Sequence, residues 1–192
     1  KAAVLKQLVD LGREMISMHP RVKRVGIASA GPLDPKKGLL LDPTNFVSAK
    51  EPKGWGEVPM AAILTQGLKR PATLENDAAA AMLAEHWKGA AKRYDNAMIL
   101  TLGTGLGTGI ITNGELLRSG RHLHPEAGHT IIKDGDTSAP CGCGNLGCAE
   151  AYLSGRNFAR RAQTRFGDAK LDALAVEKLA RSGDPRARAA FD

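Results

Sequence analysis

Between His124 and Glu150 the chain gathers side chains able to bind a metal ion and to hold a polar ligand beside it. They are His-Pro-Glu-Ala-Gly-His at 124–129 and, after a short loop, Cys-Gly-Cys-Gly-Asn-Leu-Gly-Cys-Ala-Glu at 141–150. All three cysteines of the chain lie here. Thiolates select soft or borderline ions such as zinc, and structural zinc is closed by four Cys or His ligands in a tetrahedron. His129, Cys141, Cys143 and Cys148 supply such a set. The glycines at 142, 144 and 147 let closely spaced thiolates converge on one ion, because glycine visits dihedrals that other residues avoid. A disulfide framework would want an even cysteine count and a secretory leader, and the sequence offers neither. Three buried free thiols are the remaining alternative, and their close spacing counts against it.

Two glutamates bracket the cluster: Glu126 precedes His129 by one turn and Glu150 follows Cys148 by two residues. Carboxylates that accept from pairs of vicinal hydroxyls are the usual means of gripping a sugar, and a closed zinc site would hold both on a rigid loop. The plainer alternatives are two surface residues, or a Glu150 that simply favours a helix N-terminus. Asp77 stands at a strand-to-helix junction, where ligands sit in open α/β sheets. There it is either a general base for a substrate hydroxyl or, with Asn76, a cap of the following helix. The run Gly103-Thr104-Gly105-Leu106-Gly107-Thr108-Gly109 also follows a strand, and its N–H groups are suited to cradle phosphate. It lacks the Gly-Lys-Ser/Thr of a Walker A loop, and it opens a hairpin where a dinucleotide fingerprint would open a helix. A tight structural turn would use the same glycines.

The elements that must position these residues are read from periodicity. Val4, Leu5, Leu8, Val9, Met15 and Ile16 recur at helical spacing, ended by Pro20. A strand is expected over 22–29, a turn at Gly31-Pro32, a short strand at Leu39–Leu41, and a helix with Pro59 in its first turn. Ala72–Glu75 reads as a buried strand, Ala78–Lys88 as an alanine-rich helix and Asn96–Leu102 as an apolar strand. Ile110–Leu117 reads as a hairpin turning on Asn113-Gly114, Thr130–Lys133 as a further strand, and the chain from Glu150 as helices. The pattern is α/β, with a boundary near Leu74 that divides residues 1–74, part of an N-terminal lobe, from 75–192, part of a C-terminal lobe that carries the cysteine loop.

The 192 residues suffice for one domain or two small lobes, with a net charge of +7. Much of the excess follows Gly155, where Arg156, Arg160, Arg161 and Arg165 crowd one expected helix. Such a run attracts polyanions in some proteins and is more commonly a solvated face. No run of about 18 apolar residues is present, which argues against a transmembrane helix, and unpaired cysteines arranged for metal suit the reducing cytoplasm. The chain begins without Met inside one helix and ends inside another, so a fragment is expected.

Leu74-Glu75-Asn76-Asp77-Ala78, Leu100-Thr101-Leu102-Gly103-Thr104-Gly105-Leu106-Gly107, Glu126-Ala127-Gly128-His129 and the segment Cys141–Glu150 resemble, in content and order, the motifs of the ROK family of sugar kinases and sugar-responsive repressors. The resemblance implies a two-lobed actin-like ATPase (ribonuclease H-like) α/β fold, incomplete here at both ends. It implies an ATP- and Mg²⁺-dependent kinase in which Asp77 is the catalytic base on the 6-hydroxyl of a hexose or N-acetylhexosamine. Asn45, Asn76, Glu126, His129 and Glu150 would bind the other hydroxyls, Thr104 and Gly105 would approach the phosphates of ATP, and His129, Cys141, Cys143 and Cys148 would hold structural zinc. A homodimer and no membrane or nucleic-acid partner are expected of a kinase. Thr108 stands where the family usually continues with glycine, which implies a narrower phosphate loop. The family's first phosphate motif, Asp-x-Gly-Gly-Thr, and its adenosine-binding end are absent from these residues, so residues 1–192 alone are expected to be inactive. Two other readings are open: a sugar-responsive repressor with an upstream DNA-binding domain, and a catalytically silent zinc-stapled interaction module.

Overall fold

A computed structural model of the chain describes residues 1–43, 46–47, 52–120 and 123–191. They pack as two units, one of residues 1–98 and 109–125, the other of residues 99–108 and 126–192.

In the first unit the opening helix is α1, Ala2–Met18. Leu5, Val9 and Ile16 lie on the one face that meets the core, as a period of 3.6 requires. The second helix, α2 (Met60–Leu68), approaches α1 closely, with Gly12 facing Leu68 and Gly67 facing Val9. Pro59 is the cap residue of α2, one position before the first turn. The strand expected from Val22 starts later: β1 is Val25–Ser29, because Val22 donates its N–H to the His19 carbonyl in a turn through Pro20. β1 pairs in parallel with β5, Ala72–Asn76, in a register that sets Val25 beside Ala72 and Ser29 beside Asn76. Parallel neighbours need a long crossover. Here it contains α2 and a small antiparallel sheet of β2 (Leu33–Asp34), β3 (Leu39–Leu41) and β4 (Glu57–Val58). Leu33, Leu40, Val58, Leu64 and Leu74 are buried between these elements. Each such side chain contributes roughly 1.5–3 kcal/mol by leaving water.

β5 passes directly into α3, Asp77–Lys88. Next comes a sheet in the order β6 (Ala97–Leu102), β7 (Leu106–Thr112), β8 (Glu115–Leu116). Asn113 and Gly114 turn the β7–β8 hairpin with φ of 51° and 78°, as a two-residue primed turn requires.

In the second unit the strand expected at Thr130–Lys133 does not form. Ile131 makes one isolated bridge to Cys148, while the N–H groups of Ile132 and Lys133 both reach the Gly147 carbonyl. A partner bent within the cysteine loop offers no ladder to extend. Among the described residues four helices follow: α4 (Ala149–Leu153), α5 (Gly155–Phe166), α6 (Ala173–Arg181) and α7 (Pro185–Arg188). Asp172 and Asp184 cap α6 and α7 through their carboxylates, and Ala162, Val176 and Ala187 are buried among these helices.

The arginines of α5 are not simply a solvated face. Arg161 donates to the carbonyls of Ala151 and Tyr152, both at 2.7 Å, Arg160 to Pro140 at 3.2 Å and Arg165 to Ala189 at 2.6 Å. Helix ends leave carbonyls without donors, and a guanidinium reaches them with several N–H groups at once. Among the described residues no helix is long and apolar enough to cross a membrane.

Candidate active site and metal centre

The ligand atoms of His129, Cys141, Cys143 and Cys148 all lie within 4.8 Å of one another. Cys141 Sγ is 3.5 Å from His129 Nδ1, and Cys143 Sγ is 3.7 Å from Cys148 Sγ. A tetrahedron with ordinary zinc bond lengths has S···S edges of about 3.8 Å and S···N edges of about 3.6 Å. The four donors therefore fit zinc.

Local chemistry explains how the chain brings them together. A single 3-10 turn, Ala127–His129, presents the histidine after Glu126. Cys141 N–H donates to the Asn145 carbonyl, Gly144 N–H to Cys141 and Gly147 N–H to Ala139, which closes a tight knuckle around the thiols. Gly147 has φ of 74°, and a Cβ there would fall 1.6 Å from the Lys133 carbonyl oxygen, so no other residue fits. Among the described residues the apolar cluster beneath the knuckle is Ala139, Cys141, Cys148 and Ala151, with Tyr152 packed against them. So little apolar surface holds a loop weakly, and polar contacts must do more of it. Asp136 is the main one: its carboxylate accepts from Ser138 Oγ at 2.6 Å, from Tyr152 Oη at 2.6 Å and pairs with Lys133 at 3.0 Å. Hydrogen bonds from Ser138 and then Tyr152 hold this carboxyl well below the usual carboxylate range, and the same contact raises the Tyr152 phenol. Burial pushes the Cys141 thiol up to about 12 and raises that of Cys148, whereas the backbone of Asn145 lowers that of Cys143. A bound dication would replace these protons.

Glu150, half-buried in the first turn of α4, faces two ways. Its Oε2 accepts the Leu106 N–H at 2.9 Å, and Oε1 lies 3.7 Å from Cys141 Sγ. A Cβ on Gly105 would come within 2.6 Å of that carboxylate, so the loop and the carboxylate touch where only a glycine leaves room. The turn between β6 and β7 is confined to residues 103–105, with Gly103 N–H donating to the Gly105 carbonyl and Gly155 N–H to Gly103. Thr108 lies in β7 with its side chain buried, beyond the turn. Of the phosphate residues expected from sequence, Thr104 is exposed and Gly105 half-buried.

In the other unit, Asn76 is the cap of α3, its Oδ1 accepting the Ala79 N–H at 3.0 Å, and it is buried. The cap role therefore falls to Asn76. Asp77 is exposed, and its Oδ1 accepts the Ala78 N–H at 2.9 Å. Among the described residues its Oδ2 accepts no hydrogen bond, as a carboxylate able to take a proton would require. Glu126 is exposed at the start of the 3-10 turn. Asn45 lies outside the described residues.

Over residues 2–192 the sequence matches the family described as ROK family. The chain belongs to the ROK family. The glucokinase of Halalkalibacterium halodurans is 34% identical over 179 residues, which are 92% of this chain and 52% of that protein. The xylose repressor of Caldicellulosiruptor bescii is 31% identical over 160 residues, 81% of this chain and 38% of that protein. Among solved structures, the ROK hexokinase from Thermus thermophilus has a TM-score of 0.80 and 32% identity, covering 99% of this chain and 60% of that one. The α/β fold class expected from the motifs is thus the fold of this ROK chain. The chain spans about half the length of the curated relatives it matches.

Contacts not foreseen from sequence are those made at long range: Glu150 with Leu106, Asp136 with Tyr152, and Glu75 with Arg118. Only Asp136 left a local signal. It lies in Asp-Gly-Asp-Thr-Ser, a run of residues that bond their own backbone in turns.

Proposed function

We propose that the protein carrying this chain is an ATP-dependent sugar kinase that phosphorylates the 6-hydroxyl of a hexose or N-acetylhexosamine. The observation that carries this reading is the exposed Asp77 carboxylate at the strand-to-helix junction, fixed through one oxygen and, among the described residues, open at the other. In the proposed reaction the sugar O6 attacks the γ-phosphorus of ATP, the bond to the β-phosphate bridging oxygen breaks, and Asp77 Oδ2 takes the hydroxyl proton. A loose phosphoryl-transfer transition state asks mainly for alignment and charge neutralisation, which Mg²⁺ on the phosphates supplies when bound. Asn76, Glu126, His129 and Glu150 would hold the remaining hydroxyls, with Asn45 closing on the sugar, and Thr104 and Gly105 would meet the phosphates.

Zinc would hold His129 through Nδ1, which leaves Nε2–H as a donor of fixed tautomer toward the sugar. A small-molecule sugar partner, a homodimer, a cytoplasmic location and a lobe boundary after Leu74 belong to the same proposal.

The test is an ADP-release assay of the whole protein, with ATP and Mg²⁺, across a panel of hexoses and N-acetylhexosamines. Asp77→Asn should lower kcat about 10²–10⁴-fold while sugar affinity changes little. The kinship with a xylose repressor favours the second reading, a sugar-responsive regulator. Sugar binding without turnover on any member of the panel would establish that reading instead.

A further inference from the structure

We propose that Glu75 and Arg118 form a positioning pair that sets the orientation of Asp77. The inference deepens the kinase reading and rests on it.

Arg118, on the segment just after β8, meets the Glu75 carboxylate with both terminal nitrogens: Nη1 to Oε1 at 3.2 Å, and Nη2 to Oε2. The side chains are 27% and 16% exposed, so this is a half-buried, two-pronged pair and not a solvated one. Such forks fix direction as well as distance. The oxygen that takes Nη1 also accepts the Asn76 N–H at 2.9 Å. One carboxylate therefore ties the guanidinium to the peptide joining Glu75 to Asn76, one residue before the proposed base.

The neighbouring constraints leave this work to the pair. The ladder to β1 ends with Ser29 opposite Asn76, so Asp77 lies past the last strand-to-strand contact. The Asn76 side chain is committed to the Ala79 N–H, and Asp77 Oδ1 to the Ala78 N–H. Both of those bonds act from the helix side. From the strand side, the Glu75 carboxylate fixes the plane of the entering peptide, and Arg118 holds that carboxylate against rotation. A partial rotation of this peptide would swing Oδ2 away from a hydroxyl by a fraction of an ångström to an ångström, a misplacement that costs on the order of 10²-fold in rate. Arg118 also compensates the charge of Glu75, which would otherwise sit half-buried and alone two residues from Asp77.

The test uses the whole protein with Arg118→Met, Arg118→Lys and Glu75→Gln. Arg118→Met should lower kcat about 10- to 100-fold with the sugar KM within about 3-fold of wild type. Arg118→Lys, which keeps the charge, should recover part of that loss, and Glu75→Gln, which keeps an acceptor for Asn76 N–H, should lose less than Arg118→Met. Hydrogen exchange of the Asn76 amide, read by NMR, should accelerate at least about 10-fold in Arg118→Met while amides in the middle of α3 keep wild-type protection. A purely structural pair would lower the melting temperature and leave kcat intact, and that result overturns the proposal, as does an unchanged Asn76 exchange rate. If wild type phosphorylates no sugar, the kinase reading fails by itself, and the exchange measurement still decides whether the pair holds the Asn76 peptide.

Discussion

Asn76 and Asp77 sit where a paired strand passes without a loop into a capped helix, and among the described residues the bonds that hold them come from the backbone or from side chains of the same unit. The cysteine loop is held differently. Its turns close on themselves, its apolar floor is four small residues, and its thiols crowd within a ligand sphere while burial disfavours the charged form of two of them. One region is fixed by strand pairing and a helix cap, while the other gathers a donor set that fits a metal ion. That contrast assigns different failure modes to residues the chemistry would use together.

The largest test of the contrast is removal of the metal proposed for the cysteine loop. Stripping zinc with a chelator, or replacing Cys148 with Ser, should expose the 130–148 loop to proteolysis and hydrogen exchange, since structural zinc contributes folding free energy outright and its loss is on the order of several kcal/mol. Amides of β1, β5 and α3 should keep their protection in the same sample. Loss of protection in β5 together with the loop would mean that both regions depend on the ion, and the comparison would fail.

How much of this was legible beforehand follows the range of each interaction. The Asn113-Gly114 turn and a cap at the β5–α3 junction were readable because each is specified by residues within a few positions of one another, and the candidate metal set was readable because its three cysteines are closely spaced, although His129 stands 12 residues before Cys141. The expected strand at Thr130–Lys133 failed for the converse reason: strands exist by pairing, and Gly147 at φ 74° offers no straight partner. The same limit hid the contacts that orient the site. Glu150 meets Leu106 across 44 residues and Glu75 meets Arg118 across 43, and nothing local to either carboxylate announces its partner. The arginine run of α5 was read by its charge, whereas its structural use lies in the carbonyls that helix ends leave open.

A smaller effect sharpens the helix side of the contrast. Asn76→Ala removes the acceptor for Ala79 N–H and should cost about 1 kcal/mol, measured as a lower urea midpoint with an unchanged slope. Asn76→Asp keeps a capping oxygen and should restore most of the midpoint, while the proposed sugar contact, which needs an amide donor, should stay weakened in a binding titration. Equal recovery of stability and of sugar affinity would show that the side chain serves only as a cap.

The smallest effect concerns the polar brace under the cysteine loop, and its sign follows from the direction of the shift. Ser138 and Tyr152 hold the Asp136 carboxyl below its ordinary value, so the folded state binds its proton less readily than the unfolded chain does. Stability from this group is complete above the usual carboxylate range, near pH 4 and upward, and is lost as pH falls toward the folded value. Acid also competes with any bound metal for its ligands, so the informative quantity is the gap between wild type and Asp136→Asn, since that competition acts on both proteins. That gap in melting temperature should be widest near pH 6 and close steadily as the pH is lowered toward 3. Tyr152→Phe, which removes one of the two 2.6 Å donors, should show a narrower gap with the same trend. A gap that stays constant across the range would mean that Asp136 braces the loop through shape and not through its charge, and the polar half of the contrast would then rest on the backbone bonds of the knuckle.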